Sequence, residues 1–350
     1  EDITRFQRRV VETGGRSFKQ NVDTFGFSGA LEGSFEIGER FFSWDAGMVY
    51  ANNDQNDTTD GLFNVAALRN ALGPSQGGQC FSTATPGANP GDPVVYSGLI
   101  DGCVPLNLMG AVGTMTPEAL GYSSFVAHDT YGYKMQQYFA NLSGDIVELP
   151  GGMMSFAAGL EHRVESGFDS PDALINSGNT TGNARTATEG QYSLNEAYLE
   201  LAVPLLKDVF MAETLELSLA TRYSDYSNFG STTNNKIGFK WKPIESLLIR
   251  GNWSEGFRAP SINELYQGQS DSFPQVSDPC NDALFGNLDA DAQARCVAQG
   301  VPGDDNDPLT DFVGGYDQGN PQIRVTVGGN EDLTPETSES STLGFVWSPT

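Results

Sequence analysis

What this chain lacks narrows its class before any motif is read. In 350 residues there are two histidines, His128 and His162, four cysteines, and 19 basic residues against 45 acidic ones, for a formal net charge of −26. So few lysines and arginines exclude a nucleic-acid binder, which needs clustered cations to neutralise phosphates. Two histidines and four cysteines without CxxC spacing do not make a structural zinc site. GxSxG, Walker A and HExxH strings are absent, so no catalytic signature is present and no cofactor is expected. No stretch approaches the roughly 18 consecutive apolar residues of a membrane-spanning helix. There is also no signal peptide and no initiator Met at Glu1, as in a mature secreted chain or an internal fragment.

What is present is a period of two. In "ETLELSLATRYSDY" one face takes Leu215, Leu217, Leu219, Thr221 and Tyr223, and the other takes Glu216, Ser218, Ala220, Arg222 and Ser224. "GGMMSFAAGLEHRVES" sets Met154, Phe156, Ala158, Leu160 and Val164 against Ser155, Ala157, Gly159, Glu161, Arg163 and Glu165. The same pattern runs through "GALEGSFEI", "FFSWDAGMVYA", "NEAYLELAVPLL" and "NKIGFKWK". Alternation marks strands with one apolar face. A soluble acidic β-sandwich alternates too, but these segments run about 10 to 14 residues where soluble strands usually run about 5 to 6. Their polar face also carries charges in mid-strand, at Glu32, Asp145, Glu200, Arg222 and Lys240. A transmembrane antiparallel up-and-down β-barrel has that arrangement, with lipid outside and polar groups within. Trp44, Tyr50, Tyr223, Trp241 and Trp253 suit its interfacial aromatic girdles.

The connections sort into two kinds. Short turns ("GER", "PGG", "KDVFMAE", "PIE") alternate with variable segments at 14–24, 53–134, 168–189, 227–233 and 258–338. Tight turns belong on the periplasmic side of such a barrel and long loops outside it. The expectation is ten strands, near 1–13, 25–37, 42–52, 135–149, 152–167, 190–206, 213–226, 234–243, 246–257 and 339–348, with both chain ends periplasmic. "GLFNVAALRNAL" has helical spacing and predicts a short helix within a loop.

The cysteines, Cys80, Cys103, Cys280 and Cys296, lie in Gly/Pro/Asn-rich stretches. Of three possible pairings, Cys80–Cys103 with Cys280–Cys296 closes the smallest loops, and each closure is worth about 3 kcal/mol in the chain-entropy model. Paired loop cysteines indicate an oxidising, extracytoplasmic location; the alternative is four free thiols in a cytosolic protein.

"WSEGFRAPSINELY", Trp253–Tyr266, resembles the barrel signature of TonB-dependent outer-membrane receptors, and "GNEDLTPETSESSTLGFVWSP", Gly329–Pro349, resembles the segment that follows it, where an L-x-PE element leads into the next strand. "RRVVETGGRSFKQNVDTFGFSGALEGSF" resembles an early strand pair of the same family. The resemblance implies one barrel of about 22 strands filled by a plug, of which this chain would be an internal part of one barrel domain (residues 1–350), without the plug domain or the C-terminal strands. It also implies active uptake of a scarce nutrient: siderophore-iron, a vitamin, an oligosaccharide or a peptide. The partners it implies are outer-membrane lipid and lipopolysaccharide, the receptor's own plug, the TonB complex, a small-molecule ligand and a surface lipoprotein. The family's most specific string, Phe257, Arg258, Ala259, Pro260, Glu264, Leu265 and Tyr266, then reads as the base of a long external loop. Arg258 would pin that base by pairing with Glu255 or Glu264.

Other candidates have bland readings beside the sharp ones. Asp304, Asp305, Asp307 and Asp311, and separately Asp54, Asp57 and Asp60, offer oxygen ligands for calcium, but neither group fits the EF-hand pattern. Solvated acidic loops are the ordinary reading, with lipopolysaccharide-bridging divalent ions a third. Phe273, Phe312 and Tyr316 could stack on a sugar or aromatic ligand or simply pack their own loops. The enzymatic rival is a closed ten-stranded, omptin-like protease using Asp and His at its rim, with His128 and His162 as the testable pair.

Overall fold

The computed structural model describes residues 8–89, 91–300, 316 and 318–349. The chain divides into two compact units, Glu1–Gly268 with Gly328–Thr350, and Gln269–Val327.

The first unit is built on one antiparallel sheet. Its strands are β1 (Ser17–Ile37), β2 (Arg40–Phe63), β6 (Ser124–Leu149), β7 (Gly152–Ser170), β8 (Thr188–Val209), β9 (Ala212–Tyr226), β10 (Gly230–Ile244), β11 (Leu247–Arg258) and β14 (Glu336–Trp347). They pair in chain order, β1-β2-β6-β7-β8-β9-β10-β11-β14, an up-and-down meander with β1 and β14 as its edges. Between β2 and β6 lie α1 (Val65–Ala71), β3 (Ser75–Gln76), β4 (Gln79–Thr85), β5 (Val95–Ile100) and α2 (Pro117–Ser123), followed further on by α3 (Ala173–Asn176) and α4 (Ile262–Tyr266). The second unit holds β12 (Ser270–Ser272), α5 (Asp282–Phe285), α6 (Ala290–Ala298) and β13 (Val325–Val327).

The register turns the sequence alternation into two continuous faces. One row runs Phe35, Phe42, Gly144, Phe156, Leu201, Leu219, Ile237, Trp253 and Ser341 across all nine strands. Large apolar groups on this face stand in the open: Leu31 is 73% exposed, Leu160 65% and Leu343 79%. A contiguous apolar surface of this kind suits lipid rather than water. On the opposite face the row Glu32, Asp45, Asn141, Gly159, Tyr198 and Arg222 is polar and internally bonded. Asn141 donates to Asp45 (2.9 Å), Tyr198 donates to Asn141 (2.8 Å), and Arg222 lies over the Tyr198 ring and pairs with Glu196 (3.1 Å). Gly159 makes room for that chain of bonds: a Cβ there would come within 2.4 Å of Asn141 Oδ1 and of the Tyr198 ring.

All four hairpins at one end close with two residues, 38–39, 150–151, 210–211 and 245–246. In two of these turns Gly38 and Met211 take left-handed backbone, as tight hairpin turns favour. Pro204 is tolerated inside β8 because a register shift falls between it and Leu206.

Two expectations need correction. Among the described residues the sheet has nine strands, and the 8–13 part of the expected strand 1–13 is not in it: residues 8–16 are irregular, and residues 1–7 lie outside the described set. Arg8 instead donates to Leu108 O (3.1 Å) and Gly110 O (2.8 Å), fastening this segment to the loop at the far end of the sheet from the tight turns. Second, β1 is unbroken from Ser17, β2 runs to Phe63 and β6 starts at Ser124, so 17–24 and both ends of 53–134, at 53–63 and 124–134, are ladder rather than loop. Hydrophobic alternation reports only the part of a strand that needs one apolar face. Where the strands continue into water both faces can be polar and the ladder persists without the signal. The remaining long excursions are 64–123, 171–187 and 259–335. The helix expected at Gly61–Leu72 is α1, capped by the side chain of Asn64.

Candidate functional site

β11 carries Trp253 in the apolar row, and its ladder to β10 ends at Ser254. Above that rung its ladder continues with β14, as far as the pair Arg258 and Glu336. The Arg258 guanidinium forks between two carboxylates. It meets Glu336 at 2.6 and 3.2 Å and Glu264 at 2.9 and 3.0 Å. Glu336 ends the "LTPE" string, so this latch joins the two separate sequences that resemble one family. The anticipated partner Glu264 is confirmed by geometry, but Glu255 is not a partner; it accepts from the backbone and side-chain amides of Asn235 (2.9 Å each).

Glu264 has a second task. Ser261 caps α4, and Glu264 accepts from its backbone N–H (2.8 Å) and hydroxyl (2.9 Å), a reciprocal capping box. Arg258 above all, then Ser261, stabilises the ionised carboxylate and lowers its pKa to about 2.

The rest of the string seats this helix on the polar face of the sheet. Leu265 and Ile262 are buried. The Tyr266 ring lies on Gly190, where a Cβ would meet it at 2.1 Å, and Ile262 lies over Gly167 at 3.5 Å from where a Cβ would be. Tyr192, Leu194, Tyr226 and Ile262 form a core with Phe229, Phe257, Ala259 and Tyr266 around it. Within it Tyr226 stacks on Phe229 (4.4 Å between centroids) and meets Phe257 edge-on (5.9 Å). Pro260 is buried at the bend between strand and helix.

Beneath α4 the polar face becomes acidic and tyrosine-rich. Arg185, from the 171–187 segment, donates to Tyr131 Oη (2.6 Å) and pairs with Asp129 (2.7 Å) and Asp169 (3.4 Å). Asp57 and Asp129 are buried. Next along β7, Arg163 lies between Glu161 and Glu165, and Glu165 accepts from the Tyr133 hydroxyl (2.6 Å). Burial outweighs Arg185 and holds the Asp169 pKa above the usual carboxylate range; it also pushes the Tyr131 hydroxyl up to about 12. Sequence reading overlooked this group. Its signal was there, because the alternate positions of β7 from Glu161 to Asp169 read Glu, Arg, Glu, Gly, Asp, more charge than a plain wall requires.

The other candidates are scattered. Cys80–Cys103 is a disulfide inside the loop core of Ala71, Leu106, Met115 and Ala119, and Cys280–Cys296 is one in the second unit beside Phe285. In that unit Tyr316 gives its hydroxyl to Asp278 (2.8 Å), while Phe273 is exposed. Phe312, Asp304, Asp305, Asp307 and Asp311 lie outside the described residues. Asp57 accepts from Gln55 and Asp60 from Ser17, and no cluster of three or more metal-ligating side chains occurs among the described residues. His128 and His162 are both on β6 or β7, but His162 pairs in register with Tyr138, ten positions along β6 from His128, or about 33 Å of strand. They do not converge on one site.

One apolar outer face, one polar inner face, tight turns at one end and long excursions at the other define the wall of an antiparallel transmembrane β-barrel. Residues 5–350 match the family described as TonB dependent receptor-like, beta-barrel, and the chain belongs to that family. Among solved structures it is similar to the siderophore receptor PirA from Acinetobacter baumannii, at 12% identity and a TM-score of 0.38, over 95% of this chain and 41% of that one. The chain thus spans less than half the length of that receptor. No curated protein matches the sequence.

Proposed function

We propose that this chain is part of the barrel wall of an outer-membrane receptor that takes up a scarce nutrient in a TonB-dependent manner. The family is one of receptors and transporters rather than enzymes. The observation that carries the reading is the coupling of an apolar row across nine strands to a charged, hydrogen-bonded inner row across six of them. A barrel wall around a wet lumen needs both, and the family match over residues 5–350 favours a receptor over an enzyme at a barrel rim. The partners are outer-membrane lipid and lipopolysaccharide against the apolar face, a plug domain within, the TonB complex, and a small-molecule cargo reaching the 64–123, 171–187 and 259–335 excursions from outside, where a surface lipoprotein also has access. Siderophore-iron, a vitamin, an oligosaccharide or a peptide each falls within this reading.

The test uses cells expressing the full receptor. They should bind cargo at the surface with or without TonB but accumulate it only when TonB is present. Accumulation unchanged by loss of TonB, or recovery of the receptor in detergent-free buffer, would overturn the proposal.

A further inference from the structure

A cavity of about 480 Å³ lies between the inner wall and α4, lined by Tyr131, Tyr133, Tyr192, Glu165 and Asp169 together with Ser261 and other polar groups. That volume is within the range of small-molecule sites. Its lining contains two carboxylates and no basic side chain. The surroundings do not balance them: five carboxylates, Asp57, Asp129, Asp169, Glu161 and Glu165, cluster around two guanidinium groups, Arg163 and Arg185. Moreover, Asp169 Oδ1 is buried and accepts no hydrogen bond, which is costly for a carboxylate oxygen unless something polar comes to it.

Arg185 shows what this wall holds. Its guanidinium sits between Asp129 and Asp169, hydrogen-bonded to the Tyr131 hydroxyl and 5.7 Å from the Tyr131 ring centroid. Carboxylates around a tyrosine face are the combination that recognises an organic cation, by charge-assisted hydrogen bonds and by cation–π attraction. The remaining half of the same arrangement, Asp169 Oδ1 and Glu165 among Tyr133 and Tyr192, borders the cavity.

We infer that this cavity binds a protonated amine or guanidinium group of the receptor's cargo. The inference rests on the uptake reading only for naming the occupant as cargo; the site itself is tested by binding alone. α4 forms one wall of the cavity, so the latch at Arg258 also fixes the shape of the pocket.

The experiment titrates the purified full-length receptor with three six-carbon probes of matched length: 1,6-diaminohexane, 1,6-hexanediol and adipate. The diamine should bind, with the diol and the dianion at least about tenfold weaker, and Asp169→Asn and Glu165→Gln should each weaken the diamine by about tenfold or more. Heat-modifiable electrophoretic mobility identifies folded barrels, and either variant alone suffices if the other does not fold. Equal binding of diamine and diol, tighter binding of adipate, or folded variants that bind the diamine unchanged would overturn the inference. A failure of the uptake reading would appear separately, as TonB-independent accumulation with diamine binding intact.

Discussion

Arg258 decides whether the loop base is a structure or merely a place where the chain leaves the sheet. It is half exposed and Glu336 more so, so Coulomb attraction in high dielectric contributes little to global stability. Its effect is local, because Glu264 is at once its partner and the cap of α4. The pKa of Glu264 is depressed from its ordinary 4.5 to about 2. A depressed carboxylate stabilises the fold fully above its unfolded value, and that contribution disappears as pH falls through the folded value. Hydrogen-exchange protection of the α4 amides, corrected for intrinsic rates, should therefore hold from pH 7 to about 4.5 and decline toward pH 2. Arg258→Gln should move that decline upward toward 4.5. Identical profiles for the two proteins would remove Arg258 from the account. The arginine and its string were legible in the sequence, but Glu336 was not. A partner 78 residues away is set by strand register, which no local pattern reveals.

Among elements, strands were legible where lipid imposes alternation and invisible where it does not. Leu215–Tyr223 and Met154–Val164 show a clear period of two. Asn52–Phe63 is paired too, yet carries asparagine or aspartate and threonine on both faces, and its partner Ser124–Lys134 sets Asp129, Tyr131 and Tyr133 on one face against His128, Thr130 and Lys134 on the other. The cavity was missed for the same reason, since Tyr131, Tyr133 and Asp169 stand on such extensions. The helix α1 was legible because three-four spacing follows a capping asparagine, whereas α4, five residues long, is specified by its cap and by Gly190 rather than by periodicity. The Cys80–Cys103 bridge fastens the element cluster between β2 and β6. Replacing both cysteines by serine should lower the stability of that cluster by about 3 kcal/mol. Limited proteolysis would then cut within 64–123 many times faster, while the barrel keeps its heat-modifiable mobility. Loss of that mobility would mean that the bridge supports the sheet itself.

For the whole molecule, the decisive property is that one side of the nine-stranded sheet faces lipid. Acidic excess, two disulfides and long polar excursions accord with the proposed reading, in which the loop end stands in oxidising water and the wall in a bilayer. The most direct test is a spin-label scan of β7 in the full-length receptor, reconstituted in bilayers, with single cysteines at positions 156 to 161. Labels at Phe156, Ala158 and Leu160 should be open to oxygen dissolved in lipid, and those at Ala157, Gly159 and Glu161 should be closed to it, alternating residue by residue. Uniform accessibility along β7, or greater access to a water-soluble relaxation agent at Phe156, Ala158 and Leu160, would contradict the assignment.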